Sequence, residues 1–228
     1  MSLTSGRGPH GPNPAGRFVP PLAGIGTYIE PFRRRIRGIS RGRTLVESES
    51  VLLVHRPGRP PEFAFPQRDV RAAPSTALPE ADGYVTVRWD AAERWLEEDE
   101  EIFLHPRNPY HRVDYVRTSR LLHVEVNGTV LVDTRETIGA YETSLEPRLY
   151  VSRDQVRGAV LAAGDRTTYC PYKGVATYWD AVIDGTVARN AAWSYEDPLP
   201  ESEAIRGLIS FDEAVAAVST DLPPPAQL

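Results

Sequence analysis

The chain has 228 residues, of which 41% are hydrophobic and 25% are charged, and its formal net charge is −5. This composition is typical of folded proteins with a buried core, and the negative charge argues against a nucleic-acid-binding protein that depends on phosphate contacts. A single cysteine excludes an intramolecular disulfide and any zinc site that uses several cysteines. The chain lacks an apolar run of the roughly 18 residues that cross a bilayer and the apolar stretch of a signal peptide, so we expect a soluble, cytoplasmic protein.

Residues 1–30 are rich in proline and glycine and show no apolar period. We therefore expect an extended arm that is ordered only where it lies on the rest of the protein. A run of arginines follows at residues 33–37, interrupted by Ile36. The alternation around Ile36 indicates an edge strand protected by charge, and no nucleic-acid partner is expected.

Beyond the arm the chain contains two similar segments, 31–116 and 117–228, which we interpret as two copies of one unit. The matched segments are 41–48 with 127–134, 65–71 with 150–157, 88–91 with 178–181, and 95–99 with 193–197. Most of the local patterns are those of strands. We predict a mainly β fold with a few short helices (α+β), in which two duplicated units of coiled antiparallel sheets pack together.

Turn residues predict two hairpins in the second copy. Asn127-Gly128 separates the alternating segments 121–126 and 129–134, and Asp184-Gly185 separates 175–183 from 186–191. Two helices are also predicted, over 152 to about 163 and over 211–218. The first opens with Ser152 and the second follows Ser210, and each serine has Gln or Glu three positions later, which is the spacing of a capping box.

The only cysteine and the only lysine, Cys170 and Lys173, lie three positions apart in the heptapeptide Thr-Tyr-Cys-Pro-Tyr-Lys-Gly. A nearby cation favours the reactive thiolate, and an ammonium, unlike a guanidinium, can lose its proton when it is desolvated. The alternative is a buried cysteine that only packs, beside a tight turn with a surface lysine. The corresponding segment of the first copy, 78–83, has neither residue, which favours one asymmetric pocket where the copies meet.

Further residues are candidates for this pocket. His111 follows the turn Asn108-Pro109-Tyr110, so that His111 or His105 could serve as the base for a nucleophilic Cys170, with Lys173 as the third catalytic candidate. The predicted ligand-binding residues are Tyr172, Trp193, Tyr195, Tyr178, Tyr141, Glu142, Arg148, Tyr150, Arg112 and Trp95. We expect no metal and no cofactor, since the few His and Cys residues do not have ligand spacing.

Several segments resemble the bacterial and fungal family called domain of unknown function 427. The resemblance rests on 168–174, Tyr178-Trp179, 192–195 with Pro198, and 205–211, and Trp95, 98–100 and 105–112 resemble the tandem form of the family. The family also carries a nucleotidyltransferase-like label, which would imply metal-dependent nucleotidyl transfer. The paired carboxylates and the glycine-rich phosphate loop that such enzymes use are not found in the sequence.

The sequence thus supports three hypotheses. The first is a small-molecule-binding protein or enzyme whose ligand is unknown and whose pocket is built around Cys170 and Lys173. The second is a structural or protein-interaction module without catalysis, in which aromatic residues dock a partner. The third is nucleotidyl transfer, as the family label suggests.

Overall fold

The computed structural model describes residues 3, 7–21 and 26–224, and its fold is mainly β, as predicted. Strands make up 52% of the described residues and helices 7%. The helical segments of the described residues are 3₁₀ helices at Gln67–Asp69, Trp89–Ala91, Arg153–Gln155 and Pro200–Ile205. No helix in this part of the chain has the length and hydrophobicity to cross a membrane.

The chain divides into two compact units, Met1–Tyr110 and His111–Leu228. The sequence analysis placed the second copy from residue 117, which falls inside a strand of the second unit at Val113–Thr118. His111 and Arg112, which we had expected in the first copy, therefore belong to the second unit. Within the predicted arm, residues 1–2, 4–6 and 22–25 lie outside the described residues.

The first unit consists of two antiparallel sheets. Its strands are β1 (Arg17–Val19), β2 (Thr27–Phe32), β3 (Ile36–Ser40), β4 (Arg43–Ser48), β5 (Val51–His55), β6 (Glu62–Pro66), β7 (Ser75–Ala77), β8 (Tyr84–Val87), β9 (Arg94–Glu97) and β10 (Glu100–Ile102). One sheet has the order β1-β2-β5-β6-β8-β7 and the other has the order β10-β9-β3-β4. Apolar side chains from both sheets, among them Ile36, Leu53, Phe65 and Trp95, form the core of this unit.

The arginine run does not form an edge strand, contrary to our prediction. Strand β3 pairs with β4 on one side and with β9 on the other, so it lies inside its sheet. Acidic residues at the end of β9 and just after it pair with these arginines: Arg34 pairs with Glu97, and both Arg35 and Arg37 pair with Asp99. The alternation of arginine with Ile36 arises because one face of this interior strand is buried, while the arginines on its other face form ion pairs.

The second unit contains three sheets. Its strands are β11 (Val113–Thr118), β12 (Leu122–Val126), β13 (Thr129–Thr134), β14 (Thr137–Glu142), β15 (Arg148–Tyr150), β16 (Val160–Cys170), β17 (Gly174–Ile183), β18 (Thr186–Ser194), β19 (Ile209–Phe211) and β20 (Ala217–Thr220). The sheet orders are β11-β14-β15, β13-β12-β20 and β16-β17-β18-β19. The largest core of this unit gathers buried side chains from all three sheets, including Leu131, Leu149 and Ile209.

The two predicted hairpins are confirmed. Asn127 and Gly128 join β12 to β13 with φ angles of 50° and 80°, and Asp184 and Gly185 join β17 to β18 with φ angles of 46° and 79°. Two successive left-handed residues are the geometry of a type I′ turn, which Asn-Gly and Asp-Gly adopt readily. The turn chemistry therefore set the register of both hairpins.

The two predicted helices are wrong. After Ser152 the chain makes one 3₁₀ turn, then Gly158 adopts a left-handed φ of 67°, and from Val160 the chain pairs with β17. Asp212 likewise starts a single turn, because its carbonyl accepts the N–H groups of Val215 and Ala216, before β20 pairs with β12. Capping-box spacing also suits a single turn, and pairing with a neighbouring strand decided both cases.

The two units resemble each other in one local feature. Each contains a hairpin with a bulge, β3–β4 in the first unit and β12–β13 in the second. In each, a later arginine donates its backbone N–H to the second strand of the hairpin: Arg71 to the carbonyl of Leu45 (2.8 Å) and Arg157 to the carbonyl of Leu131 (2.7 Å). The later sequence matches do not hold. Trp95 lies on β9, which pairs with β3, whereas Trp193 lies on β18, and β20 occupies the position of β9. Strands β16–β18 thus have no counterpart of similar length among the described residues of the first unit, and common origin of the units stays a prediction.

Candidate functional site

The loop between β16 and β17 is fixed at the backbone. The N–H of Lys173 donates to the carbonyl of Cys170 (3.3 Å), and the carbonyl of Lys173 accepts the N–H of Leu199 (3.1 Å). Gly174 has a φ of 94°, a left-handed conformation that favours glycine, and a Cβ at this position would lie 3.4 Å from the nitrogen of Leu199. The loop therefore presents the Lys173 side chain from a defined position.

The amine of Lys173 is buried against a carboxylate. Lys173 is only 9% exposed, and its Nζ donates to Oε2 of Glu142. Oε1 of the same carboxylate accepts a hydrogen bond from Nε2 of His111 (2.8 Å). The His111 ring stacks on Tyr172, with ring centroids 4.0 Å apart and planes 17° from parallel. We call His111, Glu142, Tyr172 and Lys173 the polar group.

Strand pairing brings His111 to Glu142. Glu142 is the last residue of β14 and lies directly opposite Val113 at the start of β11. Two further bonds close this end of the pair: the N–H of Thr143 donates to the carbonyl of Arg112 (2.9 Å), and the N–H of Arg112 donates to Oγ1 of Thr143 (3.0 Å). His111, one residue earlier, is therefore held beside the Glu142 carboxylate.

A chain of hydroxyl groups fixes the other side of the loop. Ser202 is fully buried, and its Oγ donates to the carbonyl of Tyr172 (3.0 Å). Because the single hydroxyl proton of Ser202 is used there, the Tyr115 hydroxyl donates to Ser202 Oγ (2.8 Å). Burial raises the pKa of Tyr115 to about 12, so this donor keeps its proton at neutral pH.

Cys170 lies in an aromatic cluster rather than in the polar group. Its half-buried side chain belongs to one hydrophobic cluster with Tyr115, Tyr150, Tyr178, Trp193 and Tyr195, and we call these six residues the aromatic cluster. Nε1 of Trp193 donates to the Tyr150 hydroxyl (3.2 Å). Burial raises the pKa values of Tyr150 and Tyr195 well above that of free tyrosine, so these hydroxyls stay neutral.

A cavity of about 580 Å³ opens on the face of the β11-β14-β15 sheet that also carries Glu142, at the opposite end of β14. Its lining residues are Arg117, Thr118, Ser119, Arg135, Glu136, Thr137, Ile138, Tyr150, Ser152 and Leu208. Residues directly opposite each other on antiparallel strands share a face, which groups Ile138 with Arg117 and Tyr150. Glu142 lies four residues further along β14 on this face, about 13 Å away.

The three predicted catalytic residues divide between two places. Lys173 and His111 meet on Glu142, whereas among the described residues no side-chain hydrogen bond joins Cys170 to either of them. The idea that His111 acts as the base for Cys170 therefore has no contact behind it. Glu142, which was predicted only as a ligand-binding residue, is the centre of the polar group.

Four predicted ligand-binding residues lie outside both groups. Arg112 is exposed and pairs with Asp114, and Tyr141 is also exposed. Arg148 pairs with Glu213 and lies over the Trp193 ring, with 5.8 Å from its guanidinium carbon to the ring centroid. Trp95 is 2% exposed in the core of the first unit.

Tyr115 and Ser202 were missed by the sequence analysis. The predicted boundary at residue 116 cut β11 in two, which separated Tyr115 from the site. A strand that included Val113 to Thr118 would have placed Tyr115 on the same face as Arg117, two residues on. Ser202 lies in a short 3₁₀ helix and carries no sequence signal that distinguishes it from other serines.

Comparison with known families gives one match, which covers most of the second unit. Residues 114–221 match the family described as domain of unknown function (DUF427) and named NTP_transf_9. This part of the second unit is therefore similar to the family, as the sequence motifs indicated. No curated protein matches the chain.

The residues present do not fit the metal centre that the name NTP_transf_9 implies. Nucleotidyl transfer generally uses carboxylates that hold two metal ions. Over residues 3, 7–21 and 26–224 no three His, Cys, Asp or Glu side chains come together in a way that could hold a metal ion. The carboxylate of the polar group, Glu142, already binds Lys173 and His111.

Proposed function

We propose that the second unit is a small-molecule-binding domain whose polar anchor is the polar group around Glu142. The observation that carries the proposal is the burial of the Lys173 amine on a carboxylate that also binds His111. Removing such charges from water costs several kcal/mol per ion, and apolar side chains of similar volume often stabilise a fold as well or better. A buried charged group of this kind is therefore a candidate for function, and Glu142 lies on the sheet face that also carries the cavity.

The shape of the sheet face supports a binding site rather than a docking surface. The cavity of about 580 Å³ lies within the range of roughly 300–1,000 Å³ that small-molecule pockets occupy. Tyr150, Ile138 and Leu208 provide its apolar lining. The polar lining comes from charged side chains and hydroxyls, namely Arg117, Arg135, Glu136, Thr118, Thr137, Ser119 and Ser152. Tyr150 and Tyr195 are buried, so they are unavailable as an aromatic surface for a partner protein.

Cys170 and His111 have different partners, which supports ligand binding over thiol catalysis. A nucleophilic thiol requires a base within hydrogen-bond reach or a neighbouring cation. Cys170 instead packs among tyrosine rings, and Lys173 directs its amine to Glu142. We therefore assign Cys170 a packing role in the aromatic cluster.

A metabolite library screened by thermal shift on the full chain tests the proposal. Hits should raise the melting temperature, because a ligand that binds only the folded state stabilises it. In Lys173→Arg the charge is kept but the compact ammonium is replaced by a planar fork, so we expect the Kd of each hit to rise roughly tenfold or more. Arg112→Lys, an equally small change at an exposed position, should leave the Kd unchanged.

Two results would contradict the proposal. One is a library in which no compound shifts the melting temperature of the native chain. The other is a set of hits that bind Lys173→Arg and the native chain with the same Kd in calorimetry.

A further inference from the structure

The first unit contains a cavity of its own, about 470 Å³ in volume. Its size also falls in the range of small-molecule pockets, roughly 300–1,000 Å³. Its lining combines aromatic, aliphatic and cationic side chains, among them Arg59, Pro61, Phe63, Trp89, Trp95 and His105. It is independent of the site in the second unit.

Stacked aromatic rings form a rigid wall of this cavity. Trp95 stacks on Phe65 with ring centroids 6.1 Å apart and on Trp89 with centroids 5.3 Å apart, and both pairs lie within 24° of parallel. Nε1 of Trp95 donates to the carbonyl of Trp89 (2.8 Å), which fixes the two indoles relative to each other. Trp95 is buried, but Trp89 is half-buried and ends the column, so its ring can stack on a planar ligand.

The wall carries one cation without an acidic partner. Glu62 pairs with Arg56 (2.7 Å), and Asp90 pairs with Arg88 through Nε and Oδ1 (2.9 Å). Among the described residues no hydrogen bond or ion pair engages the Arg59 side chain, which is exposed. The acids of the wall are thus neutralised by their own arginines, and Arg59 remains for an anion.

His105 supplies a hydrogen-bond acceptor. Its Nδ1 lies 2.8 Å from the carbonyl of Pro106, and a carbonyl only accepts, so Nδ1 carries the proton. In the neutral ring Nε2 is then an acceptor, and no described residue bonds to it. A ligand N–H or O–H group can pair there.

We propose that the first unit binds a planar aromatic anion in this cavity, with the ring stacked on Trp89 and the anionic group on Arg59. A carboxylate and a guanidinium form paired, charge-assisted hydrogen bonds, and an aromatic ring on indole adds stacking energy. The same cavity discriminates against neutral aromatic compounds, because they leave Arg59 without a partner.

Titration of the full chain with 2-naphthoate tests the proposal, with 2-naphthalenemethanol as the neutral probe of similar shape. Tryptophan emission should be quenched saturably by 2-naphthoate and much less by the alcohol. Arg59→Gln should raise the Kd of 2-naphthoate roughly tenfold, as loss of a charge-assisted pair predicts. Trp89→Leu should abolish the quenching.

Controls place the probe in this cavity. Arg43→Gln removes another exposed arginine of the first unit, and Lys173→Arg alters the second unit, and both should bind 2-naphthoate as the native chain does. Circular dichroism checks the fold of Trp89→Leu, while Arg59→Gln changes an exposed side chain. The proposal is overturned by absent saturation, by equal affinity for the alcohol, or by an unchanged Kd in Arg59→Gln.

Discussion

Replacing Lys173 by methionine should destabilise the second unit strongly. The substitution keeps the length and apolar stem of the side chain but leaves the Glu142 carboxylate buried without its cation. Removing one partner of a buried ion pair typically costs about 3–5 kcal/mol. Glu142 still accepts a hydrogen bond from His111, and its side chain keeps 11% exposure, so we expect the lower end, about 3 kcal/mol.

A double-mutant cycle separates the ion pair from other effects of the substitution. Glu142→Gln alone leaves the Lys173 ammonium buried without a counter-charge, whereas the double variant leaves no unpaired charge. We expect the double variant to be more stable than the sum of the single effects by about 2 kcal/mol or more. The matched exposed pair is Arg112–Asp114, with side chains 71% and 47% exposed, where coupling should stay below about 1 kcal/mol.

Urea denaturation followed by tryptophan fluorescence measures the free energies of unfolding, and the second unit contributes Trp179 and Trp193 to the signal. A loss of about 3 kcal/mol corresponds to a fall in Tm of roughly 6–12 °C for a chain of this size. High salt should weaken the coupling of the exposed pair and leave that of the buried pair nearly unchanged. Equal coupling for the two pairs would show that Lys173 and Glu142 interact as surface charges do, and the reasoning from burial would fail.

Two further predictions follow from the cores. Burial raises the pKa of Tyr115 from 10.0 to about 12, and it also raises the pKa values of Tyr150 and Tyr195. The stability that these three neutral hydroxyls contribute is therefore complete below about pH 10 and is lost as the pH rises towards about 12. Tyrosinate absorbance should show them ionising only with unfolding, and early, independent ionisation would contradict this. Gly38→Ala would place a Cβ 2.8 Å from Val46 and 3.0 Å from the Trp95 ring, so we expect a loss of about 1–3 kcal/mol in urea denaturation, and an unchanged midpoint would refute the packing argument.

Local chemistry predicted the hairpins but not the helices. Asn127-Gly128 and Asp184-Gly185 determine left-handed backbone at the turn itself, so a few residues suffice to identify them. The capping-box pattern after Ser152 and Ser210 is equally local, yet the following residues have partners far along the chain in β17 and β12. Strand pairing across a long sequence separation overrides such weak local preferences.

The candidate site was predicted in part for a similar reason. The sole lysine was recognised from composition, and Glu142 was predicted as a ligand-binding residue from the part of the same copy that precedes the motif; both belong to the polar group. The neighbours that orient them, Tyr115 and Ser202, lie 87 positions apart in the sequence and meet only through the fold. The family match, 114–221, lies within the second unit, His111–Leu228, and gives no chemistry for its residues.

The structure gives a physical reason for one lysine in a chain that otherwise uses arginine. In each arginine ion pair of the described residues, at least one side chain is 26% or more exposed. The least exposed of these pairs is Arg56 with Glu80. In the lysine pair, by contrast, Lys173 and Glu142 are both only 11% exposed. A guanidinium has five N–H donors to satisfy and an ammonium has three. Even near the surface, Arg35 and Arg37 each leave a buried Nε without a partner. An arginine at position 173 would bury more unpaired donors beside a single carboxylate, so the compact ammonium is the cation that this site can hold.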